Sequence, residues 1–224
     1  MIAVQGPAAS ETIERILPTI FESSSLPPFG VEKLRLDLPS QHGVEIMLSR
    51  TGYTGEDGYE LVAPGSYGTT IWDNLLRAGA VPCGLASRDV LRLEAGMRLY
   101  GTDMDSSTTP LEAGLGRFIS WDKGFIGRKA LEDQIAGGLT RCLVGFVMHE
   151  KAIPRSGYEI FYDQTLIGRV TSGGHSSTLD TDIGMGYVSI DHSSPGTPIT
   201  VDVRGRPVNA ELVRLPFYKR TTRR

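Results

Sequence analysis

The sequence predicts an α+β protein that ends in an all-β domain. Before the glycine pair at 137 and 138, several segments repeat apolar residues at helical spacing, and a few shorter ones alternate apolar and polar residues. After that pair, six short apolar runs follow one another between Gly, Pro, Asp and Ser turns. Consecutive short strands of this kind predict a small barrel or sandwich. We therefore expect an α+β domain over residues 1–136 and a barrel-like domain over residues 139–220.

The elements of the first domain follow from its apolar spacing. A strand and a turn are expected in MIAVQGP, followed by a helix over residues 8–21 with Ser10 as a candidate N-cap. A loop is expected at residues 23–30, and two strands bracket the segment SRTGYTGEDGYEL at 49–61. Further helices are predicted over residues 71–80, over residues 87–95 and within residues 121–138. Trp72 is expected on the inner face of the helix over residues 71–80.

The six runs of the C-terminal domain give its expected strands directly. The length of each run lies within the four to eight residues that are usual for a strand, and each run is bounded by turn residues. The expected strands are CLVGFVM, YEIFYD, LIGRVTS, MGYVSI, TPITVDV and VNAELVRL. The basic end, YKRTTRR, is expected to be a solvated tail.

Composition excludes several classes of protein. Of 224 residues, 40% are hydrophobic and 22% are charged, which is typical of a globular chain. The net charge of -3 argues against nucleic-acid binding, and no apolar run is long enough to span a membrane. The start lacks a secretory or transit pattern. Cys83 and Cys142 are too few for a disulfide framework, so a reducing compartment is expected.

Familiar cofactor and metal motifs do not occur in the sequence. It has no GxGxxG, P-loop, HExxH or GxSxG pattern, and its four histidines are widely spaced, so we predict no metal site. DMDSS, which begins at Asp103, starts like a calcium loop but lacks the later glycine and glutamate. Catalysis by a Ser/His/Asp group is left open by the pattern.

Two stretches, 49–61 and 84–101, combine glycines with constrained polar groups. Glycines let the backbone pass close to a flat ligand, and a carboxylate beside them can accept two hydrogen bonds from an amino-pyrimidine edge. An arginine of the second stretch could meet a carbonyl or carboxylate of the same ligand. The alternative is a surface helix in which Arg88, Asp89 and Arg92 form intrahelical ion pairs.

Eight segments extend this pattern over most of the chain. They are VQGP at 4–7, SRTGYTGEDGYEL at 49–61, CGLASRDVLRLEAGMRLYG at 83–101, TTPLEAGLG at 108–116, FIGRKAL at 125–131, IGRVTSGGHSSTL at 167–179, MGYV at 185–188 and PFY at 216–218. Together and in this order they closely resemble the glycine cleavage T-protein family of aminomethyltransferases. The folate-dependent tails of dimethylglycine and sarcosine dehydrogenases share part of the pattern and are the nearest alternative.

The resemblance implies a reaction and a site. T-proteins take an aminomethyl group from the lipoyl arm of H-protein, release ammonia and pass the one-carbon unit to tetrahydrofolate as co-substrate. Glu56 matches the family glutamate that grips the pterin ring, and the loop glycines around it would let the backbone close on the ring. Arg88 matches an arginine that contacts folate. Tyr100 matches an aromatic residue of the same pocket, with core packing as its alternative role.

One departure from the family pattern is expected to matter. Family members carry a further N-terminal segment ahead of VQGP, and it holds the acidic residue credited with activating the folate nitrogen. No residue here matches it, so the catalytic residue is unknown and the chain is expected to be an N-terminally incomplete member. A folate-binding module without catalysis is therefore a further alternative. The family implies the cytoplasm of a bacterium or archaeon, or the mitochondrial matrix.

Overall fold

A computed structural model describes residues 1–17, 26–38 and 41–220. Internal contacts divide the chain into two compact units, Met1–Arg88 and Asp89–Lys219. The α+β class is confirmed, since helices and an antiparallel sheet form the first unit and a closed barrel dominates the second. None of the helices in the described ranges is long and apolar enough to cross a membrane.

The first unit is built on an antiparallel sheet with strand order β1-β4-β3-β2. Its strands are β1 (Ile2–Gln5), β2 (Val31–Leu38), β3 (Gln41–Ser49) and β4 (Gly58–Val62), and its helices are α1 (Ala9–Ile16) and α2 (Gly68–Arg77). The predicted opening strand and the strand pair that brackets residues 49–61 are therefore present. Strand β2 was not predicted, and it pairs with β3 along most of its length.

One face of this sheet forms the core of the first unit. Along β3, Ile46 and Leu48 are buried while the intervening Met47 is partly exposed, as expected for a strand with one covered face. The same cluster of buried side chains contains Ile13 of α1 and Leu75 of α2. Both helices therefore cover the apolar face of the sheet.

The helices of the first unit differ from the prediction in three respects. The first helix ends at Ile16, because Leu17 precedes a proline and takes a non-helical conformation; residues 18–21 of the predicted helix, and residues 23–25 of the predicted loop, lie outside the described ranges. Ser10 lies inside α1 rather than capping it. Trp72 is 41% exposed on α2, so its expected place on the inner face was wrong.

The second unit contains a closed six-stranded barrel with order β10-β5-β8-β7-β6-β9. The prediction of a barrel or sandwich is thus resolved in favour of the barrel, and each predicted strand is found within a few residues. The strands are β5 (Arg141–Met148), β6 (Glu159–Tyr162), β7 (Thr165–Ser176), β8 (Thr181–Ser189), β9 (Pro198–Val203) and β10 (Arg206–Val213).

Two helices precede the barrel. Helix α3 (Leu85–Glu94), predicted over residues 87–95, contains the division between the two units, and Gly96 follows its end with a positive φ of 64°. Helix α4 (Arg128–Gly137) lies in the stretch where a short helix was expected. The predicted domain ranges, 1–136 and 139–220, meet at the end of α4 and stay a prediction.

A partly buried ion pair lies beside the barrel, between Glu112 and Arg141. Arg141 Nε donates to Glu112 Oε1 at 2.7 Å, and both the backbone N–H and the hydroxyl of Thr109 donate to Oε2 at 2.9 and 2.7 Å. Burial alone would raise the pKa of Glu112, but these bonds outweigh it and lower the pKa to about 2. The carboxylate is therefore more stable in the folded chain than in the unfolded one.

This pair makes stability depend on pH. We expect Glu112→Gln to lower the free energy of unfolding by about 1–2 kcal/mol at pH 7, a figure reduced because Arg141 is partly exposed. Since the folded pKa lies below the unfolded one, the stabilisation is present above about pH 4.5 and is lost as the pH falls toward 2. Urea unfolding of both chains should show their difference shrinking between pH 5 and pH 3. A constant difference over that range would contradict the assignment.

Candidate functional site

The loop between β3 and β4 is held by a two-point ion pair. Arg50 Nε lies 3.0 Å from Asp57 Oδ1, and Nη2 lies 2.7 Å from Oδ2. Both side chains are largely buried, and the hydroxyl of Ser10 also donates to Asp57 at 3.2 Å. The hydrogen bonds from Arg50 lower the pKa of Asp57, although burial opposes them. Asp57 is therefore an ionised structural group that fixes the shape of the loop.

A glutamine from β1 explains two of the loop glycines. Gln5 Nε2 donates to the carbonyl oxygens of Thr51 and Tyr59 at 3.1 and 3.3 Å. An ideal Cβ at Gly52 would lie 1.8 Å from Gln5 Oε1, and one at Gly58 would lie 2.3 Å from it. These glycines therefore make room for a side chain of the protein itself. The role expected for the loop glycines was closure of the backbone around a ligand.

Glu56 lies on this fixed loop. It follows Gly55, whose φ of 77° favours glycine, and its backbone N–H is 3.4 Å from the hydroxyl of Thr54. The residue is half-buried, between the buried Thr54 and the ion-paired Asp57. The backbone that carries the Glu56 carboxylate is therefore fixed by contacts within the loop, which suits the loop to a ligand of fixed shape.

Arg88 reaches the same loop. Its guanidinium carbon lies 4.9 Å from the ring centroid of Tyr53, a cation–π contact, while Arg88 itself is exposed on α3. The first unit thus brings together the loop that carries Glu56 and the arginine predicted to act with it. Of the surface-helix alternative, the exposure of Arg88 and Asp89 and the intrahelical ion pair between Asp89 and Arg92 are confirmed, but a surface position is wrong for Arg92, whose side chain is 2% exposed.

Tyr100 belongs to the second unit, in the turn that follows α3. It is 70% exposed, and its backbone forms an isolated bridge with Met104. Core packing, the alternative role for Tyr100, is therefore wrong. An exposed aromatic side chain is available for contact with a ligand, but its membership of a folate pocket stays a prediction.

Two of the three side-chain contacts of Arg92 that fix α3 were not predicted. Arg92 donates to Asp89 Oδ1 at 2.7 Å, to Asp103 Oδ2 at 2.6 Å and to Ser172 Oγ at 2.9 Å. The i,i+3 spacing of Asp89 and Arg92 was a visible signal for the first of these contacts. No sequence signal indicated the other two, because Asp103 and Ser172 come from different parts of the fold.

Metal binding finds no support in the described part of the chain. Within residues 1–17, 26–38 and 41–220, no group of three or more His, Cys, Asp or Glu side chains is placed to hold a metal ion.

Comparisons with known proteins cover both parts of the chain. The GCVT N-terminal domain model matches residues 1–123, and the glycine cleavage T-protein C-terminal barrel domain model matches residues 141–219. An aminomethyltransferase from Halothermothrix orenii is 44% identical over 222 residues, which are 97% of this chain and 60% of that protein. One from Thermosynechococcus vestitus is 45% identical over 222 residues, which are 98% of this chain and 58% of that protein.

A solved structure shows the same fold. Glycine cleavage system aminomethyltransferase T from Bartonella henselae superposes with a TM-score of 0.79 at 31% sequence identity, over 91% of this chain and 56% of that one. The chain spans about 60% of the length of the curated relatives that it matches. With both family domains in order and a barrel of the expected kind, this chain belongs to the glycine cleavage T-protein family.

Proposed function

We propose that this chain acts as an aminomethyltransferase of the glycine cleavage system. In the proposed reaction, the aminomethyl group on the lipoyl arm of H-protein loses ammonia, its carbon–sulfur bond breaks to leave a thiol, and its carbon becomes bonded to two nitrogens of tetrahydrofolate. Membership of the family over nearly the whole chain supports this proposal. The observation that carries it is the stacking of Arg88 on Tyr53, in the loop that holds Glu56.

In this proposal the loop recognises the pterin part of the folate. The carboxylate of Glu56 accepts two hydrogen bonds from the amino-pyrimidine edge, which carries adjacent N–H donors. Arg88 donates to a carbonyl or carboxylate of the same molecule, and Tyr53 holds its guanidinium near the loop. Tyr100 is proposed as an aromatic contact for the folate. The residues present therefore fit a flat, amino-substituted ring with an acidic tail.

Two aspartates that are candidates for proton transfer already accept hydrogen bonds from arginines of the protein. Asp57 accepts two hydrogen bonds from Arg50 and one from the hydroxyl of Ser10, and Asp103 accepts a hydrogen bond from Arg92 at 2.6 Å. The hydrogen bonds from Arg50 lower the pKa of Asp57, which makes it a weak base, and the side chain of Asp103 is fully buried. The residue that handles the proton of the folate nitrogen is therefore unassigned among the described residues.

The proposed site predicts a large effect from Glu56→Gln. The change keeps the shape of the side chain but removes its charge and replaces one acceptor by a donor. We expect binding of a stable reduced folate, 5-formyltetrahydrofolate, to weaken by about 1.5–3 kcal/mol, measured by isothermal titration calorimetry. The matched control is Glu45→Gln, which alters an exposed carboxylate on β3 of the same unit and should leave the affinity unchanged.

The possible results of this experiment distinguish an error in the proposed binding site from an absence of catalysis. An unchanged folate affinity in Glu56→Gln would place the binding site elsewhere. Tight folate binding without production of ammonia from aminomethylated H-protein would favour a folate-binding module that lacks catalysis. Turnover that falls in step with affinity in Glu56→Gln, while Glu45→Gln keeps full turnover, is the result expected of the aminomethyltransferase.

A further inference from the structure

We infer that Arg92 is a positioning residue for Arg88, because it fixes the rotation of α3 through a buried polar network. The inference rests on the proposed function, in which Arg88 binds folate. Arg88 precedes Arg92 by four residues, so the two side chains leave the same face of the helix. A rotation of the helix at Arg92 would therefore change the direction of Arg88.

All three nitrogens of the Arg92 guanidinium donate hydrogen bonds. Nε donates to Asp89 at 2.7 Å, Nη1 donates to Asp103 at 2.6 Å and to the carbonyl oxygen of Met97 at 3.2 Å, and Nη2 donates to Ser172 at 2.9 Å. The side chain is 2% exposed. Four acceptors in a planar fork leave a buried guanidinium with little freedom to rotate or slide.

Asp103 is fixed as firmly as its partner. Its side chain is fully buried, Oδ2 also accepts the backbone N–H of Leu99 at 2.9 Å, and Oδ1 accepts the hydroxyl of Thr171 at 2.5 Å. The backbone carbonyl of Asp103 accepts the hydroxyl of Tyr187 at 2.9 Å. The pair is therefore bonded to both β7 and β8 of the barrel.

A bulge in β7 makes this arrangement possible. Successive residues of a regular strand point to opposite faces, yet the consecutive Thr171 and Ser172 both reach the Arg92–Asp103 pair. The pairing of β7 with β8 shifts between Val170 and Ser172, so that Thr171 is an extra residue. A bulge redirects side chains in this way, and here it directs two hydroxyls at one ion pair.

Glu94 supplies a second anchor on the same strand. It is buried, and its oxygens accept the hydroxyl of Ser176 at 2.6 Å and that of Thr178 at 2.9 Å. Arg92 and Glu94 therefore tie the last turn of α3 to two places along β7 and the turn that follows it. An apolar helix face would pack on the barrel without the desolvation cost of these charges, so the polar network is better explained by the direction it imposes than by net stability.

The test uses Arg92→Lys, which keeps a positive charge near Asp103 but loses the planar fork. We expect the dissociation constant for 5-formyltetrahydrofolate to rise about tenfold, because a binding group that is slightly misplaced loses much of its effect. Amide hydrogen exchange in residues 85–91 should become faster by a similar factor, while exchange in the barrel strands β5 and β10 stays unchanged. The matched control is Glu112→Gln, which weakens another ion pair of the same unit and should change neither measurement.

A milder variant keeps the test decisive if Arg92→Lys does not fold. Ser172→Ala removes one acceptor of Arg92 and leaves the ion pair with Asp103 in place, so exchange in residues 85–91 should rise about twofold to threefold. Parent-like exchange and folate affinity in the variants would overturn the inference and leave the network a purely structural role. If the parent chain binds no folate, the proposed function fails for this chain, and helix exchange alone then decides whether Arg92 fixes the helix.

Discussion

Replacing Asp103 with alanine should lower the free energy of unfolding by about 3–5 kcal/mol. The carboxylate is fully buried and pairs with Arg92 at 2.6 Å, so its removal leaves the guanidinium buried with the partly exposed Asp89 as its remaining charged partner. The hydroxyl of Thr171 and the N–H of Leu99 also lose their acceptor. Urea unfolding at pH 7, followed by circular dichroism, measures the loss.

A double variant shows whether the uncompensated charge causes this loss. Asp103→Leu combined with Arg92→Met removes both charges, and it should recover much of the stability that Asp103→Ala loses. Asp105→Ala is the matched control, since Asp105 is an exposed carboxylate of the same loop and its removal should have a much smaller effect. A double variant no more stable than Asp103→Ala would mean that lost packing, rather than an unpaired charge, dominates.

The barrel was predictable because its signals are local. Each of its strands reads as a short apolar run between turn residues, and the closing order β10-β5-β8-β7-β6-β9 joins strands that the sequence had already marked. Strand β2 was missed although Leu34, Leu36 and Leu38 alternate with charged residues in the manner of a half-buried strand. That pattern was sufficient to find it.

The site was less accessible to pattern reasoning, because its contacts are not local. Glu56 and Arg88 were identified through the resemblance to the family, and neither stands out by spacing alone. The burial of Arg92 depends on Asp103, eleven residues later, and on Ser172, eighty residues later. The hydroxyls of Thr171 and Ser172 reach the Arg92–Asp103 pair because of a bulge in β7. No residue pattern in the sequence indicates that bulge.

Gly168→Ala should destabilise the barrel by about 3 kcal/mol. Gly168 of β7 is paired with Val188 of β8, and an ideal Cβ at position 168 would lie 1.9 Å from the carbonyl oxygen of Tyr187 and 2.9 Å from the Cα of Val188. Both atoms belong to the backbone of a strand that is hydrogen-bonded on each side. They cannot turn away as the end of a side chain can, so the added methyl group must push β7 and β8 apart.

The contrast with Gly124→Ala isolates this backbone clash. Gly124 lies in the same unit, and among the described residues no heavy atom comes within 4 Å of an ideal Cβ there, so this change should alter the urea midpoint little. Gly186→Ala should repeat the Gly168 effect, because its Cβ would lie 2.4 Å from the carbonyl oxygen of Arg169 across the same pair of strands. Parent-like midpoints in both strand variants would contradict a register with Gly168 opposite Val188. A lowered urea midpoint in Gly168→Ala alone would instead show that the strand pair can open locally at Gly186, next to the bulge at Thr171.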